Sequence, residues 1–213
     1  MHTLNTLTID NCAIAFIDHQ PFVAFPVSSI APGELVNNVT GLAKVARALG
    51  VPVVLSTILA RGGPLADPLF SQLAAQFPDQ PVIDRRNTNA WADEAFVAAV
   101  QATGRRKLVM CGLWTEVCLA QTVVSAIAAG FEVTFVADCS GGVSAEAHEE
   151  GKRRMVQAGA VPMTWMALMA ELCPDNTAPE YQRLYPVVLE HGGGVGVAVQ
   201  YVLAQLPSGA ASA

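Results

Sequence analysis

Short apolar runs alternate with segments of helical period along most of the chain, and this alternation restricts it to an α/β architecture. The runs at residues 11–17, 52–57, 108–111, 131–137 and 161–164 are of strand length, and 82–83 is a brief further strand candidate. Between them lie helical patterns, as at 33–49, where Leu35, Val36, Val39, Leu42, Ala43, Ala46 and Leu49 recur at helical spacing before Gly50. A short helix is expected over 68–77, and others over 93–102, 115–130, 144–158 and 165–172. A strand buried on both faces reads as a continuous apolar run, and a strand followed by a helix returns parallel to itself. The expected fold is therefore a three-layer α/β/α sandwich around a mostly parallel sheet of about six strands. Residues 1–175 form its domain, and 176–213 a C-terminal extension with helices over 179–191 and 195–206, packing on the domain or on a neighbouring subunit.

Composition narrows the class of partner. The chain has 213 residues, 52% hydrophobic and 14% charged, with a formal net charge of -6. Its basic runs, such as Arg105-Arg106-Lys107, are no longer than three residues, which argues against nucleic acid or an anionic membrane and favours a small molecule. No apolar run is long enough for a membrane span, and Met1-His2-Thr3-Leu4-Asn5 lacks a signal-peptide pattern, so a cytoplasmic protein is expected. The five cysteines are odd in number and lack any CxxC pair, which suggests free thiols rather than disulfides or zinc ligands.

In parallel sheets, ligands bind beyond the carboxyl ends of the strands. Three polar features fall there: Asp18 after the first strand, Arg85-Arg86 after the third, and Thr115 to Cys118 after the fourth. Thr115 is expected to cap a helix whose first turn holds Cys118, where orphan N–H groups stabilise a thiolate or an oxyanion. Asp18 would take the thiol proton, a guanidinium would stabilise the anions, and Cys118 would attack an electrophilic carbon. Phe22, Trp114 and Trp165 are candidate pocket walls. Asn89 and Trp91 are candidates for substrate contact, with helix capping and anchoring as their competing roles. His19 would offer a Cys–His dyad only by pointing to the same side as Asp18, and His148 reads as part of a solvated helix face.

At these residues the sequence resembles the isochorismatase-like cysteine hydrolases, in particular their YcaC-like branch. The matching words include Phe16-Ile17-Asp18-His19-Gln20, Asn89-Ala90-Trp91, Cys111-Gly112-Leu113-Trp114-Thr115-Glu116-Val117-Cys118, Ala137-Asp138-Cys139-Ser140-Gly141 and Met163-Thr164-Trp165. The resemblance implies a Rossmann-like topology and an Asp–Lys–Cys triad falling on Asp18, Arg85 and Cys118, with Arg86 as the alternative to Arg85. It also implies a cis peptide between Leu113 and Trp114, and an oxyanion hole formed by the N–H groups of Trp114 and Cys118. Arg in place of Lys keeps the charge but cannot shuttle a proton. The nicotinamidase branch holds a metal through an Asp-x-His word after the second strand; Thr57 to Gly63 contains none, so no metal and no cofactor are expected. A homo-oligomer, by resemblance an octamer, is expected as well.

Three functions remain open from sequence. The first is hydrolysis of a C–N bond in a small amide or carbamoyl compound through a Cys118 thioester. The second is cleavage of an enol ether by Asp18 without a covalent intermediate, and the third a non-catalytic ligand-binding or redox-responsive role on the same scaffold.

Overall fold

A computed structural model describes residues 6–61 and 67–205. Its sheet has the order β3-β2-β1-β4-β5-β6, with β1 Cys12–Ile17, β2 Val53–Ile58, β3 Val82–Arg85, β4 Lys107–Gly112, β5 Glu132–Val136 and β6 Val161–Met163. Every pairing is parallel. The strands run close to the apolar stretches legible in the sequence, because each is covered on both faces. In β1 the side chains of Cys12, Ile14 and Phe16 enter one core and those of Ala13, Ala15 and Ile17 the other.

The first core is closed by α2 (Pro32–Leu49), α7 (Trp165–Leu172) and α8 (Pro179–His191). The second is closed by α4 (Glu94–Ala102), α5 (Ala120–Ala128) and α6 (Ala145–Gln157). Gly50 ends α2 in the left-handed region, at φ 68°, as a glycine C-cap does. Two short helices differ from expectation: α1 (Pro21–Ala24) is a single turn opened by a proline, and the helix expected over 68–77 contracts to α3 (Ser71–Ala74).

The C-terminal extension is divided. Leu184, Val187 and Val188 of α8 are buried in the first core, and His191 Nδ1 lies 3.0 Å from Asn37 Oδ1 of α2. In contrast α9 (Gly194–Gln205) leaves Val195, Val197, Tyr201 and Val202 exposed. Among the described residues no single helix is long and apolar enough to cross a membrane. The stretch Thr57 to Gly63 lies, after Arg61, outside the described residues, as do the amino-terminal pentapeptide and Leu206.

With β1 and β4 as central neighbours, the connection after β1 passes through α2 on one face and that after β4 through α5 on the other, and a crevice opens at the carboxyl ends of these two strands.

Candidate active site

The carboxyl end of β1 runs directly into Asp18, whose φ of 58° lies in the left-handed region. Aspartate tolerates this conformation better than most residues, and the break in extended geometry turns its side chain out of the strand pattern. The Asp18 amide still donates to Ser56 O at 3.0 Å, so the residue remains tied to β2. The next residues are fixed elsewhere. His19 is fully buried among Phe16 and Phe70 in the first core, its Nε2 2.9 Å from the Cys139 carbonyl, and burial lowers its pKa to about 4. It is therefore neutral and on the opposite side of the sheet from Cys118, which belongs to the second core. Gln20 accepts from Ile58 N at 2.8 Å and donates to Asp67 O at 2.8 Å.

β3 supplies the cation. Its register, Ile58 opposite Arg85, places Arg85 inward with almost no exposure and leaves Arg86 exposed. The Arg85 guanidinium donates to Asp18 Oδ2 and to the Asn87 carbonyl, and to the Thr88 carbonyl at 3.2 Å. Neighbouring Asp84 is structural: it accepts from Ala60 N at 2.8 Å, Thr57 Oγ1 at 3.0 Å and Arg61 N at 3.0 Å, which holds the chain leaving β2.

β4 supplies the thiol. After Gly112 the chain makes a cis peptide between Leu113 and Trp114 and winds into a π-helical turn, Thr115–Leu119, that continues as α5. The Trp114 carbonyl accepts from Val117 N at 3.0 Å and Leu119 N at 3.3 Å, bypassing the Cys118 amide. Thr115 is not the cap expected from sequence. Its amide donates to Gly141 O at 2.9 Å, and its hydroxyl lies 2.8 Å from Nδ1 of His148, which is thereby bound to the back of the turn rather than solvated. Gly151 of α6 also touches this turn: a Cβ there would lie 2.8 Å from Glu116 Cα.

Asp18, Arg85 and Cys118 thus meet at one edge of the sheet. Burial raises the Asp18 pKa to about 6 against the opposing pull of Arg85. Burial and then the Asp18 charge raise the Cys118 pKa to about 12, with Arg85 acting in the other direction. The resting pair is a neutral thiol beside a carboxylate. Asp18 Oδ1 is buried without a hydrogen-bond partner of ordinary geometry, so it has an open position for a proton.

Cys118 opens onto a cavity of about 210 Å³, lined also by Phe22, Val23, Ile58, Thr88, Trp114 and Val117. Trp114 Nε1 donates to Val23 O at 2.7 Å, which locks the indole against α1 and removes its only side-chain donor from the cavity. Of the residues expected from sequence to contact substrate, Phe22 lines the cavity and three are placed elsewhere. Asn89 caps the turn that begins at Ala90 by accepting from Trp91 N at 3.0 Å, and also donates to Ser125 Oγ at 3.0 Å. Trp91 packs on Phe96 and Phe131, and Trp165 is buried against Gly41 of α2 in the first core. Val23, Ile58, Thr88 and Val117 were missed in the sequence. Their only signal is position: Val23, Thr88 and Val117 lie beyond the strand ends marked by Asp18, Arg85 and Cys118, and Ile58 ends β2 between β1 and β3.

Among the described residues no group of three or more His, Cys, Asp or Glu side chains is arranged to hold a metal ion.

Comparison with known proteins finds relatives that match the fold over most of the chain. The family model described as the isochorismatase domain matches residues 12–167. The Escherichia coli protein named "Probable hydrolase YcaC" is 40% identical over 189 residues, covering 82% of this chain and 90% of its own. YcaC from Pseudomonas aeruginosa, solved with hexane-2,5-diol and covalent acrylamide, superposes with a TM-score of 0.89 at 33% identity, over 95% of this chain and 99% of that one. The Escherichia coli YcaC structure, described as an octameric hydrolase of unknown specificity, gives a TM-score of 0.88 at 35% identity, over 96% and 100% of the two chains.

Proposed function

The chain belongs to the isochorismatase family of hydrolases, and from that premise we propose that it cleaves a C–N bond of a small amide or carbamoyl compound through a thioester on Cys118. The observation that carries this reading is the convergence of a buried carboxylate and a buried guanidinium on a thiol that opens onto a cavity. A thiol with a pKa raised to about 12 is not a standing thiolate, so attack is coupled to proton transfer. Sγ bonds to the substrate carbonyl carbon as Asp18 takes the thiol proton. The carbonyl oxygen becomes an oxyanion, for which the N–H groups of Trp114 and Cys118 are the proposed donors. As the C–N bond breaks, Asp18 returns the proton to the departing nitrogen. Water then adds to the thioester with Asp18 again as base, and the sulfur leaves with that proton, releasing the acid. Arg85 stays charged throughout and acts electrostatically, holding Asp18 ionised and in place.

Release of ammonia or amine from a panel of small amides tests the reading. Turnover by the native protein and its loss in Cys118→Ala and Asp18→Asn support it; full turnover in Cys118→Ala overturns the thioester mechanism.

We extend to this chain the octamer described for Escherichia coli YcaC. The exposed apolar residues of α9 and the side chain of Phe25, 91% exposed, are surfaces that association would cover. Light scattering on the purified protein tests this, and a monomer contradicts it. The five free thiols fit a reducing, cytoplasmic setting.

A further inference from the structure

The cavity over Cys118 is more selective than the triad alone requires. Phe22, Val23, Ile58, Trp114 and Val117 wall it with apolar surface, and among the described residues no acidic or basic side chain lines it. The charges beneath it are already engaged. Arg85 is paired with Asp18 Oδ2 and two backbone carbonyls, with only its Nε unpartnered, and Asp18 is paired with Arg85 beside the thiol. The remaining polar side chain is Thr88, at the exposed end of the cavity. A volume of 210 Å³ holds about seven water molecules at roughly 30 Å³ each, which suits a compact acyl group and little more.

We propose that this site selects small neutral carboxamides with a short aliphatic or single-ring acyl group, and rejects acyl groups that carry a carboxylate. The inference rests on the amide-cleaving reading for its chemistry and on the cavity wall for its selectivity. A carboxylate entering this cavity loses its water and meets only a cation already neutralised by Asp18, whereas an alkyl chain of the same size loses nothing and buries apolar area. The same reasoning disfavours substrates of the isochorismate type, which carry carboxylates.

Two measurements separate this inference from the reading beneath it. The first needs no turnover: peptide-resolved mass spectrometry gives the rates at which iodoacetamide and iodoacetate alkylate Cys118, with glutathione as the free-thiol reference. The expected neutral-to-anionic rate ratio at Cys118 is about ten-fold or more above that of glutathione. In Phe22→Lys, which adds a cation at a half-exposed wall position, the ratio falls back toward the reference. A ratio equal to glutathione's, or a native Cys118 that neither reagent reaches, overturns the inference. The second compares 4-methylvaleramide with succinamate, which match in size and differ in charge. A kcat/KM about ten-fold or more higher for the neutral amide supports the inference, and equal or faster cleavage of succinamate overturns it while leaving the hydrolase reading intact. Selective alkylation with no cleavage of either amide supports the neutral cavity and overturns the hydrolase reading.

Discussion

Arg85 and Asp18 form an ion pair with no exposed side-chain surface, and it joins the end of β3 to the end of β1 across β2. Two charges withdrawn from water in this way are held by each other, by the backbone carbonyls of Asn87 and Thr88 and, at Asp18, by the Cys118 thiol. The pair makes the site expensive to alter one residue at a time.

Removing one partner leaves a buried, uncompensated charge. Arg85→Ala is expected to cost about 3–5 kcal/mol of stability, measured by urea unfolding. Arg85→Met combined with Asp18→Asn is expected to recover a large part of that loss while abolishing activity. Equal stability of Arg85→Ala and the native protein contradicts the buried pair.

The pH dependence follows from Asp18. Its folded pKa of about 6 exceeds the ordinary 3.8, so between about pH 4 and pH 6 the folded state holds a proton that the unfolded state has released. Stability from this group is therefore greatest below pH 4 and falls as pH rises through 6. Relative to Asp18→Asn, the native protein is expected to lose on the order of 2–3 kcal/mol across that window, read as a difference in slope rather than in offset. Parallel stability profiles for the two proteins contradict this.

Activity runs in the opposite sense, because the base works only when ionised. On the proposed mechanism kcat/KM is expected to rise through an apparent pKa near 6 and then stay level to pH 9, since the Cys118 thiol stays protonated over that range. A second rise near pH 8 to 9 in the profile indicates a free thiolate instead.

The nucleophile turn is held from behind by α6. A Cβ at Gly151 would lie 2.8 Å from Glu116 Cα and 2.9 Å from Glu116 N, both backbone atoms that have no rotamer to change. Gly151→Ala is expected to destabilise by about 1–3 kcal/mol and to lower kcat by displacing Cys118. Thr115→Val, which removes the hydroxyl contact with His148, is expected to cost about 1 kcal/mol with a smaller effect on kcat. Thermal unfolding and initial rates read both variants.

Much of this was legible because each strand is buried on both faces and so writes an unbroken apolar run. Cys12–Ile17 and the strand ending at Gly112 are unmistakable for that reason, and the edge they define locates Asp18 and Cys118. The choice between Arg85 and Arg86 was not legible. It depends on the pairing of Ile58 with Arg85, and a shift of one residue in a strand exchanges inside for outside. The single turn Pro21–Ala24 is too short to show a period. His148 looked solvated because its own helix is charged, whereas its partner, Thr115, comes from another element. Asn89, Trp91 and Trp165 show the converse, since polar and aromatic residues beside a site were equally available for capping and core packing.

The central claim is that Cys118 becomes acylated with Asp18 as its base. The most direct test is to incubate the native protein with p-nitrophenyl acetate, a small neutral acyl donor with a good leaving group, and locate the acetyl group by peptide mass spectrometry at early times. The account predicts a burst of nitrophenolate, acetyl on Cys118 in preference to the other four thiols, and loss of both in Asp18→Asn. Acetylation of Cys118 no faster than that of Cys173, or a burst unchanged in Cys118→Ala, would contradict it.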